Sequence, residues 1–175
     1  MDLNNFRFLG HNCFLFQSQQ SILVTDPWFS DKGAFFGSWY QYPKNHHLVN
    51  ELIQLTNSNK KVFIYLSHEH QDHFDLETLN KLNKKNIQMI IPKFEDDFLT
   101  KKLREHSFDL EEIKHNETMD LDKDIQVKIF ISDIGINHDS AILISYNGSK
   151  FFNQNWNPFP SSVFMSQRIF YYHFW

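Results

Sequence analysis

The hexapeptide His68-Glu69-His70-Gln71-Asp72-His73 lies directly behind a continuous apolar run at residues 62–67, Val-Phe-Ile-Tyr-Leu-Ser, and no other stretch of the chain restricts the fold as much. A short run of β-branched and aromatic residues reads as a strand covered on both faces. Its far end then opens into a loop crowded with imidazoles. In extended backbone, residues two apart point to one side, so His68 and His70 can reach a single metal ion. Asp72 and His73 follow in a loop that is free to turn, which brings a carboxylate and a further imidazole within reach of a second ion. In a chain of this composition H-x-H-x-D-H arises by chance about two times in a thousand. The competing reading is a polar loop whose histidines cap the next helix. It requires three histidines and an aspartate to be sequestered at a strand end without a cation, at a desolvation cost.

The flanking sequence supplies the scaffold. Residues 6–9, 13–17 and 22–25 read as three short strands broken by Gly10-His11-Asn12 and Ser18-Gln19-Gln20, a β-meander that Asp26-Pro27 terminates. Residues 28–47 have no period and read as a long loop. Helices are predicted over 49–55, over 75–85 behind the cap Asp75 with Leu76, Leu79 and Leu82 on one side, and over 96–106. Residues 87–91 and 125–131 read as strands, and 141–146 with 150–152 flank Asn147-Gly148, a dipeptide suited to a tight hairpin. Alternating strand and helix predict an α/β fold with mixed or antiparallel strands. No repeat or linker divides the chain, so residues 1–157 read as one domain. Residues 158–175, with seven aromatics, one basic residue and no acid, read as a separate tail, either buried or an abnormal ending.

Composition narrows the function. The chain has 175 residues and a net charge of −4, so it offers no bulk attraction to nucleic acid or anionic lipid, and no nucleic-acid partner is expected. Its one cysteine, Cys13, excludes an internal disulfide framework and any multi-thiolate metal site; in an apolar strand it reads as packing. The amino terminus has no basic stretch followed by an apolar run, and no 18 consecutive apolar residues occur. The expectation is a cytoplasmic protein without a transmembrane segment.

The H-x-H-x-D-H motif behind an apolar strand, Gly10-His11 near the amino terminus and Asp26-Pro27-Trp28 after the third strand together resemble the metallo-β-lactamase superfamily over roughly residues 6–155. The Gly-His opening and Asp-Pro-Trp segment are most similar to the branch containing ascorbate-phosphate lactonases, N-acylphosphatidylethanolamine phospholipase D enzymes and the lactamase-like part of CMP-N-acetylneuraminate hydroxylases. The resemblance implies a four-layer αββα sandwich, short at its carboxy terminus for this fold. It implies that His68 and His70 hold a first metal, completed by His138 from Asn137-His138-Asp139-Ser140, and that Asp72 and His73 hold a second. The implied cofactor is zinc, one or two ions per chain, with manganese or iron as alternatives. His138 could equally be an ordinary loop histidine. His11 is either a substrate contact or support in the metal cleft, or a simple turn residue. Asp26 either buttresses a ligand histidine through its other ring nitrogen or merely turns the chain.

The implied activity is hydrolysis by a zinc-bound hydroxide, oriented by Asp72, on an ester, lactone, amide or phosphodiester of a small polar or lipid-derived substrate. His70 stands where redox-active di-iron relatives typically carry glutamate, which favours a hydrolase. One departure is plain: residues 153–157, Asn-Gln-Asn-Trp-Asn, contain no acid where a bridging carboxylate is expected. Trp156 occupies the expected place, and only His173 follows as a later histidine. A catalytically defective metal-binding fragment is therefore the rival reading. A third is the substrate-binding part of a sialic-acid-hydroxylase-like oxygenase system. Its Rieske cluster needs two cysteines and two histidines, and this chain has Cys13 alone.

Overall fold

A computed structural model describes residues 5–132 and 138–155, together with the backbone of a strand at Ile169–Tyr172. The meander forms as the turn residues dictate: β1 (Phe6–Gly10), β2 (Cys13–Gln17) and β3 (Ser21–Thr25) pair antiparallel in sequence order. Then β4 (Lys61–Tyr65), β5 (Ile87–Pro92) and β6 (Asp109–Ile113) add in parallel, giving a sheet ordered β1-β2-β3-β4-β5-β6. Parallel neighbours need crossovers, and α1 (Val49–Thr56), α2 (Leu76–Leu79) and α3 (Phe98–Glu105) lie in them. A second sheet holds β7 (Thr118–Asp120), β8 (Ile125–Ser132), β9 (Asp139–Tyr146), β10 (Ser149–Asn153) and β11 (Ile169–Tyr172), ordered β11-β10-β9-β8-β7. The β9–β10 hairpin turns on Asn147 and Gly148, both at positive φ.

Period-two alternation splits the apolar residues between two cores. Ile22, Val24, Val62, Ile64, Met89 and Ile91 face the helices, against Leu52, Leu79, Leu99 and Leu103. Their neighbours Leu23, Phe63, Tyr65 and Ile90 face the second sheet and meet Val127, Ile129, Ile142, Ile144 and Tyr146. Strands β3 and β4 are thus buried on both sides, as the apolar run at 62–67 requires. Among the described residues the helices cover the first sheet alone, and the far side of the second carries the small cluster Phe130, Ala141 and Phe152. The sheets are pinned near the functional end: Tyr65 Oη donates to Ser140 Oγ (2.7 Å), which donates to the Ser67 carbonyl (2.7 Å).

Three local expectations change. The helix predicted over 75–85 is a single turn, because tertiary bonds take over the following backbone: Asn83 N–H donates to Thr56 Oγ1 (3.2 Å) and its side chain to Asn57 Oδ1 (3.1 Å). Strands β6 and β7 form in segments whose polarity gave no strand signal. Four residues of the 158–175 tail join the second sheet as β11, parallel to β10. No helix among the described residues is long and apolar enough to cross a membrane.

Candidate metal centre

β3 and β4 run parallel and end together, Thr25 opposite Tyr65, so the residues that follow them share one edge of the sheet. Side chains beyond the carboxyl ends of parallel strands face a natural crevice. Asp26 turns out of β3 at positive φ and is fully buried. Its Oδ1 accepts the Ser67 N–H (2.8 Å), and its Oδ2 accepts Ser67 Oγ (2.8 Å) and Asn12 Nδ2 (3.0 Å), with His73 Nδ1 at 2.9 Å. Past Ser67 the chain curls: the His70 carbonyl accepts both His73 N–H (2.9 Å) and Phe74 N–H (2.7 Å). That turn swings Asp72 and His73 back toward His68. The β1–β2 turn delivers His11 from the other side, and Gly10 is needed there, since at φ +111° its added Cβ would lie 2.8 Å from Asn45 Nδ2.

The motif residues converge. His68 Nε2 lies 2.9 Å from His70 Nδ1 with the rings edge to face, and the His68 and His73 ring centres are 4.2 Å apart. Asp72 Oδ2 lies 3.1 Å from His11 Nε2 and 3.4 Å from His73 Nε2. One donor atom each from His11, Asp72 and His73 falls within 4.8 Å of the others. His138 is not in this gathering. Its Nε2 lies 2.8 Å from Asp96 and its ring stacks on Phe94. Its neighbour Asp139 faces the site instead, 3.3 Å from His68 Nδ1, because successive residues entering β9 point to opposite faces. Asp139 is buried and accepts the Asn155 side-chain amide (2.8 Å). Neither Asp139 nor Asn155 stands out in the sequence; strand alternation at 138–139 is the signal that could have found the former. Trp156 and His173 lie outside the described residues.

Electrostatics set the protonation states. Burial opposes charge on His73, but Asp26 and Asp72 on its two nitrogens outweigh it and push its pKa up to about 10. Burial, with the neighbouring His73 charge, pulls His68 down to about 3, so its ring is neutral. Burial would raise Asp72 and Asp26, yet hydrogen bonds from His11 and His73 hold Asp72 well below the usual carboxylate range, and His73 with Ser67 lowers Asp26. Asp139 is raised by burial, against the bonds from Asn155 and Ser140.

These residues suit a divalent cation. Among the described residues Asp72 Oδ1 is a buried carboxylate oxygen without a hydrogen-bond partner, while Oδ2 of the same group lies against the His11 and His73 imidazole nitrogens. Such an atom costs about 1–3 kcal/mol or more when left unmatched. The His68–His70 nitrogen spacing of 2.9 Å is a little under the roughly 3.3 Å expected for two imidazoles on one tetrahedral zinc. Imidazole and carboxylate donors suit zinc, manganese or iron. The mouth is aromatic: Gln71 Oε1 accepts the Phe35 N–H (2.7 Å), which fixes Phe35 beside His70, while Trp39 lies edge-on to His11.

The family model described as the beta-lactamase superfamily domain matches residues 5–155. A provisionally named Rieske 2Fe-2S iron-sulfur protein of Mycolicibacterium smegmatis is 30% identical over 100 residues, which cover 57% of this chain and 18% of that protein. A cytidine monophosphate-N-acetylneuraminic acid hydroxylase of Asterias rubens is 25% identical over 147 residues, covering 81% of this chain and 21% of that protein. The chain spans about a fifth of the length of these curated relatives. The crystal structure of a provisionally named metal-dependent hydrolase from Parabacteroides distasonis superposes with a TM-score of 0.51 at 13% identity, covering 85% of this chain and 58% of that one, a likeness of fold.

Proposed function

Because this chain belongs to the β-lactamase superfamily, we propose that the cluster at the ends of β3 and β4 binds divalent metal, zinc foremost, and hydrolyses an ester, lactone, amide or phosphodiester. His68 and His70 form one set of donors, and Asp72, His73 and His11 the other. The observation that carries the reading is the buried Asp72 carboxylate, with one oxygen shared between His11 and His73 and the other unmatched. A bound divalent cation supplies a water acidic near neutral pH and polarises the scissile carbonyl or phosphoryl oxygen. Asp72 accepts a hydrogen bond from the attacking water and aims it. Asp26 fixes His73 through Nδ1 and leaves Nε2 toward the cleft. Phe35 and Trp39 stand beside His70 and His11 at the exposed rim of the site. Chromogenic carboxylate esters, lactones and phosphodiesters, assayed after chelation and after zinc or manganese is restored, test this. Metal-restored turnover on one class supports it; equal turnover with and without chelator contradicts it.

A second reading draws on the relatives' names and on the fifth of their length that is matched: this domain is the substrate-binding partner of an iron–sulfur oxygenase centre held elsewhere. Cys13 is buried in β2, where burial pushes its thiol up, so this domain's cysteine is not placed to hold such a cluster. Co-purified iron and sulfide in a longer product of the same coding region would favour it.

A further inference from the structure

Behind the metal-facing atoms seven buried side chains close a ring. Asp139 Oδ1 lies 3.3 Å from His68 Nδ1 and accepts from the Asn155 amide (2.8 Å) and the Ser140 N–H (2.7 Å). Asn155 Oδ1 accepts from Asn12 Nδ2, which also donates to Asp26 Oδ2. Asp26 holds His73 Nδ1, and Ser67 Oγ closes the circuit, 3.0 Å from His68 Nδ1 and 3.2 Å from His73 Nδ1.

The donor count fixes the direction of each bond. Ser67 has one hydroxyl proton, and it goes to Asp26 Oδ2 at 2.8 Å, so toward His68 the hydroxyl can only accept. Asp139 Oδ1 already receives two N–H groups and is also an acceptor. His68 Nδ1 faces two acceptors and must itself carry the proton. Its Nε2 then presents a lone pair on the side of His70.

Resting on the metal reading above, we propose that Asp139, oriented by Asn155, is the positioning residue that locks His68 as the Nδ1–H tautomer and so presents Nε2 to a divalent cation. This also gives a reason for an amide in the acid-free segment 153–157. Position 155 must donate to Asp139 and accept from Asn12. A carboxylate there has no proton to give and would set a third anion beside Asp139 and Asp26.

The test combines long-range proton–nitrogen NMR of the metal-free, histidine-labelled protein with zinc titration. Wild type is expected to show a protonated Nδ1 and an unprotonated Nε2 at His68. Asp139→Ala and Asn155→Asp should mix the tautomers and weaken zinc binding by about 10–100-fold, the usual effect of removing such a partner. Asp139→Asn keeps a carbonyl acceptor, so it should retain Nδ1–H, lose less affinity, and serve if the alanine variant does not fold. An Nε2–H wild type, or Asp139→Ala and Asn155→Asp with unchanged tautomer and affinity while His68→Ala loses zinc, overturns this proposal alone, as does undiminished affinity in Asp139→Asn if the alanine variant does not fold. Undiminished zinc binding by His68→Ala overturns the metal reading of His68 and this proposal with it.

Discussion

Replacing Asp26 by asparagine should destabilise the protein even without metal. The carboxylate is fully buried and receives Ser67 N–H, Ser67 Oγ, Asn12 Nδ2 and His73 Nδ1 within 3.0 Å. Asparagine keeps the shape but places an NH2 among three donors and removes the counter-charge of His73. Breaking a buried charge pair from one side costs about 3–5 kcal/mol. At about 2–4 °C per kcal/mol for a chain of this size, the melting temperature in chelator should fall by about 6–20 °C. The pH dependence has a definite sign. His73 is raised to about 10, so its share of the stability is complete below its unfolded value near 6.5 and drains away as pH rises through about 10. Asp26 is lowered, so its share is present above the unfolded carboxylate value of about 3.9 and is lost as pH falls. The gap between wild type and Asp26→Asn should therefore be widest between about pH 4 and 6.5 and narrow steadily toward pH 10. Denaturant titrations across this range measure it. A gap under about 1 kcal/mol at pH 6, or one that grows with rising pH, would show that the Asp26–His73 pair does not hold the fold together.

Asp72→Asn should keep the fold, reduce zinc bound per chain, and lower any metal-dependent hydrolysis by about a hundred-fold or more, as misplacing the attacking group does; metal analysis and steady-state rates read both. Gly10→Ala should cost about 1–3 kcal/mol, because φ +111° and an Asn45 contact at 2.8 Å oppose a Cβ; equal unfolding midpoints would contradict this. Phe16→Ala removes a ring packed between the sheets against Phe6, Tyr146 and Phe151 and should cost about 3–5 kcal/mol in urea unfolding.

What the sequence discloses here depends on how local the cause is. The strand at 62–67 and its histidines are readable because burial on both faces demands a continuous apolar run, and the motif packs six polar residues, five of them titratable, into one loop. The β9–β10 hairpin is readable from Asn147-Gly148 because only positive φ closes so short a turn. By contrast, β6 is an edge strand with three acids, Asp109, Glu111 and Glu112, and its pairing with β5 comes from the sheet rather than its own pattern. The helix behind Asp75 stops after one turn because Thr56 and Asn57, distant in sequence, capture Asn83. At the site, His138 and Asp139 are adjacent titratable residues, and the sequence offers no reason to prefer one until the β8–β9 register turns Asp139 inward and His138 toward Asp96. Asn12 and Asn155 bond to each other across 143 residues, a contact that no motif spells out.

Elemental analysis of the purified protein, compared with a His68→Ala, His70→Ala double variant of the same chain, tests the metal centre most directly. Wild type should carry a divalent metal at one or two equivalents per chain, and the variant should lose most of it. Identical metal content in the two proteins would contradict the metal reading.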